Sequence, residues 1–374
     1  MPKKEDLSFI DYLKEAPDYR KDRKKLYPVE EIMLLTLCGL TAGADGWDDL
    51  EDFGEIKLED LRAYFPFKNG TPSDDTLRRF FRTIDPSRFE EFFLRWIKSF
   101  QLDLEGKVIA IDGKTNRRSF DGEGKPVHLV SAFASEYGLT LGQIKTAEKS
   151  NEITAIPELL NLLDIEGSVV TLDAMGCQKK IVEQIVNQRA DYVIGLKGNQ
   201  GSLHTDVKLF FEKKPKRVRF LKAQMEEKGH GRIENRIGTC TANIAWFQKN
   251  HPEWSGLKSL IEIESHREIK GKKSVEKRYY ISSLKAEPQK LMAVIRSHWG
   301  VENQLHWVLD VCFGEDISRI RKGNAPQNIA IMKKTVLNLM KVIKQTRPRT
   351  SFKRMRKMAG WDSGFMESIL RAKF

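Results

Sequence analysis

At 374 residues, 40% apolar and 31% charged, the chain has globular composition and length enough for two or three domains. It has no apolar run of membrane-spanning length, and its N-terminus, MPKKEDLSF, lacks the apolar core of a signal peptide, so a cytoplasmic protein without a membrane partner is expected. The net charge of +12 is concentrated in residues 213–236, with nine Lys/Arg against three Glu, and residues 341–374, with ten Lys/Arg against two acids; both point to a polyanion, with a solvated charged face as the plainer alternative.

Residues 1–100 read as helices. YPVEEIMLLTLCGLTAGA is an apolar helical run entered through Pro28, and PSDDTLRRFFRTI places Ser73 or Asp74 at an N-cap. Asp85 caps the next helix, with Pro86 at its first position. Near Gly106 the texture changes to short β-rich runs at 107–112, 128–135, 140–146, 168–174 and 191–197, with helical patterns at 152–163 and 177–189. Three strands followed by helix–strand–helix–strand predict a mixed α/β sheet that starts antiparallel and continues parallel. Polar alternating runs over 203–284 predict an antiparallel β insertion, and helices resume at 287–313 and 326–345. The tail beyond Pro348 is expected to be loosely ordered. Cys38, Cys177, Cys240 and Cys312 form no CxxC pair, which fits reduced packing thiols rather than disulfides or a zinc site.

Three acids stand out. VIAIDGK and VVTLDAMG are apolar strands ending in Asp112 and Asp173, at the sheet edge where ligands bind, although a turn at Asp112-Gly113 and a helix cap at Asp173 explain them equally well. In SHWGVENQLHWVLD, helical spacing sets Glu302 on the stripe of Leu291, Ile295, Trp299, His306, Leu309 and Phe313. A carboxylate buried there needs a cation. That cation is either Arg296, Arg319 or Arg321 in an ion pair, or a metal shared with Asp112 and Asp173; hard oxygen donors suit Mg²⁺ or Mn²⁺. Two such ions serve phosphodiester displacement.

VIAIDGKTNRRS, VVTLDAMGCQKKIVEQIVNQRADYVIGLKGNQ, HGRIENR and IRSHWGVENQLHWVLDVCFGEDISRIRKGNAPQNIAIMKK together resemble the DDE transposases of bacterial insertion sequences, in the H-repeat-associated branch. The resemblance runs from about residue 10 to 345 and implies an N-terminal helical accessory domain (1–100), used for DNA binding or assembly. It further implies an RNase H-like catalytic core (106–202 and 285–345), a β-rich insertion (203–284) and a basic tail (346–374). It makes Asp112, Asp173 and Glu302 the catalytic, metal-holding triad. It implies Mg²⁺-dependent phosphodiester hydrolysis at element ends, strand transfer into double-stranded target DNA, and a homodimer on that DNA. The alternatives are a nuclease without strand transfer and an inactive DNA-binding remnant. One departure stands out: relatives often carry Y-x2-R-x3-E-x6-K around the glutamate, whereas this chain has Ile295, His298 and Leu309 there.

Further DNA contacts are expected from Lys114, Arg117 and Arg118 after Asp112, from Lys197 and Asn199 in GLKGNQ, and from Arg296 and His298 beside Glu302. Alternation in HGRIENR sets His230, Arg232 and Arg236 on one strand face, either toward DNA or in an ion-pair ladder with Glu234. Arg78, Arg79 and Arg82 project from the DDTLRRFFR helix, next to the strongly acidic DGWDDLEDFGE.

Overall fold

The computed structural model describes residues 8–18, 20, 25–120, 125–146, 152–229, 232–269 and 271–373. Nine strands form one sheet: β1 (Val108–Thr115), β2 (His128–Ala134), β3 (Leu139–Lys145), β4 (Val169–Leu172), β5 (Asp191–Leu196), β6 (Leu221–Gly229), β7 (Arg232–Thr241), β8 (Ser259–Ile269) and β9 (Lys272–Ser282). Their spatial order is β3-β2-β1-β4-β5-β9-β8-β7-β6. β1, β2 and β3 pair antiparallel, while β4 and β5 run parallel to β1, which is the RNase H-like arrangement expected for the core. The parallel strands are short and buried on both faces, as their uninterrupted apolar runs require. The insertion's meander joins this sheet directly, because β9 pairs antiparallel with β5 from Val193↔Ser282 to Leu196↔Tyr279.

The N-terminal helices begin where the capping chemistry places them. Pro28 precedes Val29–Ala42, the Ser73 hydroxyl accepts from Thr76 N at the head of Asp74–Thr83, and Asp85 accepts from Ser87 N at the head of Pro86–Lys98. The helix Ala325–Thr346 is buried over most of its length. It packs on β3 and on all three of those helices, so the helical layer and the sheet share one apolar core. Two polar side chains tie this contact together: Asn338 accepts from Thr140 N and donates to Thr140 O, both at 2.9 Å, and Lys334 donates to Ser131 Oγ at 2.7 Å and to Gln143.

The C-terminal segment is not the loose tail expected. Phe352–Trp361 and Ser363–Leu370 are helices packed against Val29–Ala42, with Met355, Ala359, Phe365, Ile369 and Leu370 in the core. Arg356, a member of the basic cluster, is buried; its Nε donates to Leu40 O at 3.1 Å and its guanidinium lies 4.6 Å from the Phe313 ring centre. Part of that cluster's charge is therefore structural. All four cysteines are free, and burial pushes Cys177 and Cys240 up to about 12 and about 11. No described helix is long and apolar enough to cross a membrane.

Candidate active site

Asp112 lies in β1 opposite Ser131, and Asp173 directly follows β4, the strand parallel to β1. Asp112-Gly113 opens no turn, since β1 continues to Thr115 with Gly113 opposite Val130. Asp173 caps a tight turn rather than the next helix: its Oδ1 accepts from Met175 N at 2.8 Å and Gly176 N at 3.2 Å, while Lys179–Asn187 starts after Gln178. The bare Cα of Gly195 on β5 gives this turn room, because a Cβ there would lie 3.3 Å from Ala174 N. Asn199 fastens the same turn from the far side, donating to Ala174 O at 2.7 Å.

Glu302 is where the helical-spacing expectation fails. The segment is α-helical over Pro288–His298 and again over Trp307–Phe313, but Glu302–His306 between them is a π-turn. The wide turn breaks the 3.6-residue period. Val301, Leu305, Val308, Leu309 and Phe313 keep the buried stripe, and Glu302 is exposed instead of buried. Among the described residues no ion pair joins it to Arg296, Arg319 or Arg321; Arg296 binds Glu227 at 2.9 Å, and Arg321 donates to Arg118 O at 3.0 Å.

Asp112, Asp173 and Glu302 line one cavity of about 740 Å³, with Lys197, His298 and Trp299 on its walls. Their shared field is visible in Asp112. Burial raises its carboxyl to about 7, and the charges of Glu152, Asp173 and Glu302 push the same way, against a hydrogen bond from Gly113 N. His306 Nδ1 lies 3.5 Å from Asp112 Oδ2, yet burial holds the imidazole down at about 3, so it is neutral at pH 7. His298 is likewise neutral: burial lowers it to about 4, outweighing the charge of Asp173, and its Nδ1 shares a 2.9 Å hydrogen bond with Thr171 Oγ1. Leu309, where relatives often carry lysine, is fully buried.

Among the described residues no three His, Cys, Asp or Glu side chains close to a metal-holding geometry. The donors nevertheless fit a hard divalent cation, being carboxylates with no sulfur among them and with an Asp112 whose ionisation the neighbouring charges oppose.

The expected DNA contacts divide. Lys197 is exposed at the cavity wall, and Arg117 is exposed with Nε 3.4 Å from Asp316. Arg118 is exposed. Lys114 is not open to phosphate: its side chain is 10% exposed, and Nζ lies 2.7 Å from Asp310, 3.0 Å from Glu315 and 3.1 Å from Asp316. For Arg236 the ion-pair alternative holds, with Glu234 at 2.8 Å and Glu227 at 3.0 Å; Arg267 also reaches Glu234, at 2.9 Å. Arg236 and Arg296 line a second cavity of about 450 Å³ beside the first, which also includes Glu302 and Trp299. His230 lies outside the described residues, and Arg232 begins β7 opposite Gly229 and Ile269. On the N-terminal helix, Arg78 is bound by Asp74 at 2.6 Å, while Arg79 remains exposed.

Sequence reasoning missed Glu152, which reads as an ordinary first-turn acid, and the acid cage of Asp310, Glu315 and Asp316, whose partner is about two hundred positions away.

A family model described as "Transposase DDE domain" matches residues 103–339, and one described as "DDE_Tnp_1-associated" matches residues 10–97. The protein named "Putative transposase YncI" of Escherichia coli O157:H7 is 44% identical over 97% of this chain and 94% of its own length. "H repeat-associated putative transposase YhhI" of Escherichia coli strain K12 is 41% identical over 96% of this chain and 97% of its own. Among solved structures, the piggyBac transposase synaptic complex with hairpin DNA matches at 14% identity and a TM-score of 0.46, covering 96% of this chain and 77% of that one.

Proposed function

This chain belongs to the DDE transposase family, and from that premise we propose that it cuts phosphodiester bonds at the ends of a DNA element and joins the freed 3′-hydroxyl to target DNA. The observation that carries the reading is the convergence of Asp112, Asp173 and Glu302 on one open cavity, with no arginine on the glutamate among the described residues.

Asp112, Asp173 and Glu302 would hold two Mg²⁺ or Mn²⁺ ions. Bound there, such ions supply an activated oxygen nucleophile and stabilise charge on the leaving oxygen. The chain does the positioning. Met175 N and Gly176 N fix the Asp173 carboxylate, and Thr171 fixes the His298 ring. His298, neutral and with one ring nitrogen engaged by Thr171, would give a scissile phosphate a hydrogen bond from the other. Lys197 and Arg117 meet the DNA backbone, and Trp299, 37% exposed on the wall of both cavities, offers a face for an unpaired base. Two element ends processed together need two copies of the site, so a homodimer on DNA is part of this proposal.

The test uses the full chain, Mg²⁺ and a labelled duplex carrying the DNA that flanks its reading frame. Asp112→Asn should abolish cleavage and leave gel-shift binding intact; cleavage that survives refutes the assignment. Joining of labelled ends to a plasmid separates transposition from simple hydrolysis.

A further inference from the structure

Arg319 and Arg321 do not answer Glu302, so the run of cations between Trp307–Phe313 and Ala325–Thr346 needs another explanation. Residues 318–324 read SRIRKGN, and residues 318–321 are neither helix nor strand. Ile320 is buried in the core, while Arg319, Arg321 and Lys322 on either side of it are exposed. One apolar side chain seats the loop, and three cations are held out from it.

The loop is fastened on both sides to other basic segments. Arg321 Nε donates to Arg118 O at 3.0 Å, in the turn that follows β1. That turn is itself closed, since Ser119 Oγ donates to Asn116 O and accepts from Val127 N, both at 2.7 Å. On the other side Asn324 N donates to Arg82 O at 3.2 Å and Asn324 Nδ2 to Ile84 O at 3.1 Å, where the helix Asp74–Thr83 ends. Gly323 makes this seat possible: its φ is +57°, and a Cβ there would lie 2.7 Å from Arg82 Cγ and 2.9 Å from Arg82 O. Arg118, the loop and Arg82 therefore follow one another from the catalytic core onto the helical domain.

Among the described residues none of Arg82, Arg118, Arg319, Arg321 and Lys322 makes an ion pair, whereas Lys114, Arg78, Arg236 and Arg296 are all held by acids. Like charges gathered on pinned backbone repel one another and stabilise nothing within the chain. A polyanion reverses that balance, because each phosphate neutralised releases counterions.

We propose that residues 318–323, with Arg118 and Arg82, are a docking ledge for the backbone of duplex DNA, which lays the helical domain and the active site along one arm of the same duplex. The inference deepens the proposed function and rests on it only for where the DNA is cut. From Asp112 to Arg118 the chain can span at most about 22 Å, so the near end of the ledge meets phosphates within about one helical turn, about 34 Å, of the cut. These contacts position the duplex and read no bases.

The experiment titrates the full chain onto the labelled flanking-DNA duplex in chelator, where no bond is cut, across a series of salt concentrations. It compares wild type, Arg319→Gln with Lys322→Gln, and Arg82→Gln. These side chains are exposed and unpaired among the described residues, so Tm should hold. The double variant should flatten the slope of log affinity against log salt by about 1.8, and Arg82→Gln by about 0.9. Arg319→Lys with Lys322→Arg keeps both charges and should keep the wild-type slope. Ethylation interference should show the phosphates lost with the loop variant adjoining those lost with Arg82→Gln, with the near end within a turn of the wild-type cut. Unchanged slopes, a slope lost equally in the charge-keeping variant, or phosphate losses scattered along the duplex overturn the ledge and leave the proposed function standing. Flattened slopes with adjoining phosphate losses, in a chain that makes no Mg²⁺-dependent cut, overturn the proposed function and leave the ledge.

Discussion

Lys114→Met removes a cation and keeps most of its stem. The side chain is 10% exposed, and Glu315, one of its three acids, is 3% exposed, so that carboxylate would stay desolvated without a partner, while Asp310 reaches water and Asp316 keeps Arg117. Breaking a buried pair by deleting one member costs about 3–5 kcal/mol. Unfolding entropy of about 2.1 cal/mol/K per residue over this length gives about 0.8 kcal/mol/K, so Tm should fall by about 4–6 °C. Burial opposes the charge of Lys114, but Glu315 and Asp310 outweigh it and raise its pKa above the ordinary lysine value. The folded pKa is the higher one, so the stabilisation is complete below pH 10.5 and is lost as pH rises through the folded value. The gap between wild type and Lys114→Met should therefore be flat across neutral pH and close in alkali. Glu315→Gln in the Lys114→Met background should recover part of the loss, because it neutralises the most deeply buried of the stranded acids. Thermal melts followed by circular dichroism read all of this. An unchanged Tm, or losses that simply add in the double variant, would refute the claim that Lys114 ties β1 to the segment following Glu302.

In metal-free protein, burial and neighbouring acids hold Asp112 up at about 7, above its ordinary 3.8, so its contribution to stability is full below about pH 4 and lost as pH rises through 7. Asp112→Asn should accordingly gain on wild type by up to about 4 kcal/mol between pH 4 and pH 8 in chelator, and parallel pH profiles would contradict this. Asn199→Ala removes the 2.7 Å bond to Ala174 O, should cost about 1 kcal/mol, and should slow cleavage more than it weakens DNA binding; equal effects on both would count against a role in fixing the Asp173 turn. Truncation after Lys344 strips Met355, Phe365 and Ile369 from the core, so it should lower solubility and Tm by itself, whereas Lys353→Gln with Arg354→Gln should leave Tm unchanged and isolate any phosphate contact by its salt slope.

Local physics made much of this molecule legible. Pro28, Ser73 and Asp85-Pro86 start helices because capping is decided within four residues, and β1, β4 and β5 appear as apolar runs because both of their faces are covered. Asp112, Asp173 and Glu302 stand out in the sequence as acids in apolar surroundings, although β1 runs on past Asp112 to Thr115 and Glu302 leaves the buried stripe. What stayed hidden depends on distant partners or on a changed period. The role of Lys114 is set by Asp310, Glu315 and Asp316, about two hundred positions away. The C-terminal helices carry their apolar residues at Met355, Ala359, Phe365 and Ile369, spaced between charges dense enough to look like solvated tail. The exposure of Glu302 was unreadable because a regular helix was assumed.

The π-turn at Glu302–His306 means that the aim of this carboxylate is encoded by a residue count. Deleting one residue from the turn would restore a regular helix and swing everything on one side of it by about 100° relative to the other. With the apolar anchors keeping their seats, the acid would face away from the sheet while composition, charge and helix length stayed nearly the same. If Glu302 holds a cation as proposed, a single in-frame codon loss would silence such a gene product without touching any acid, and a survey of intact D, D and E letters would score the casualty as sound.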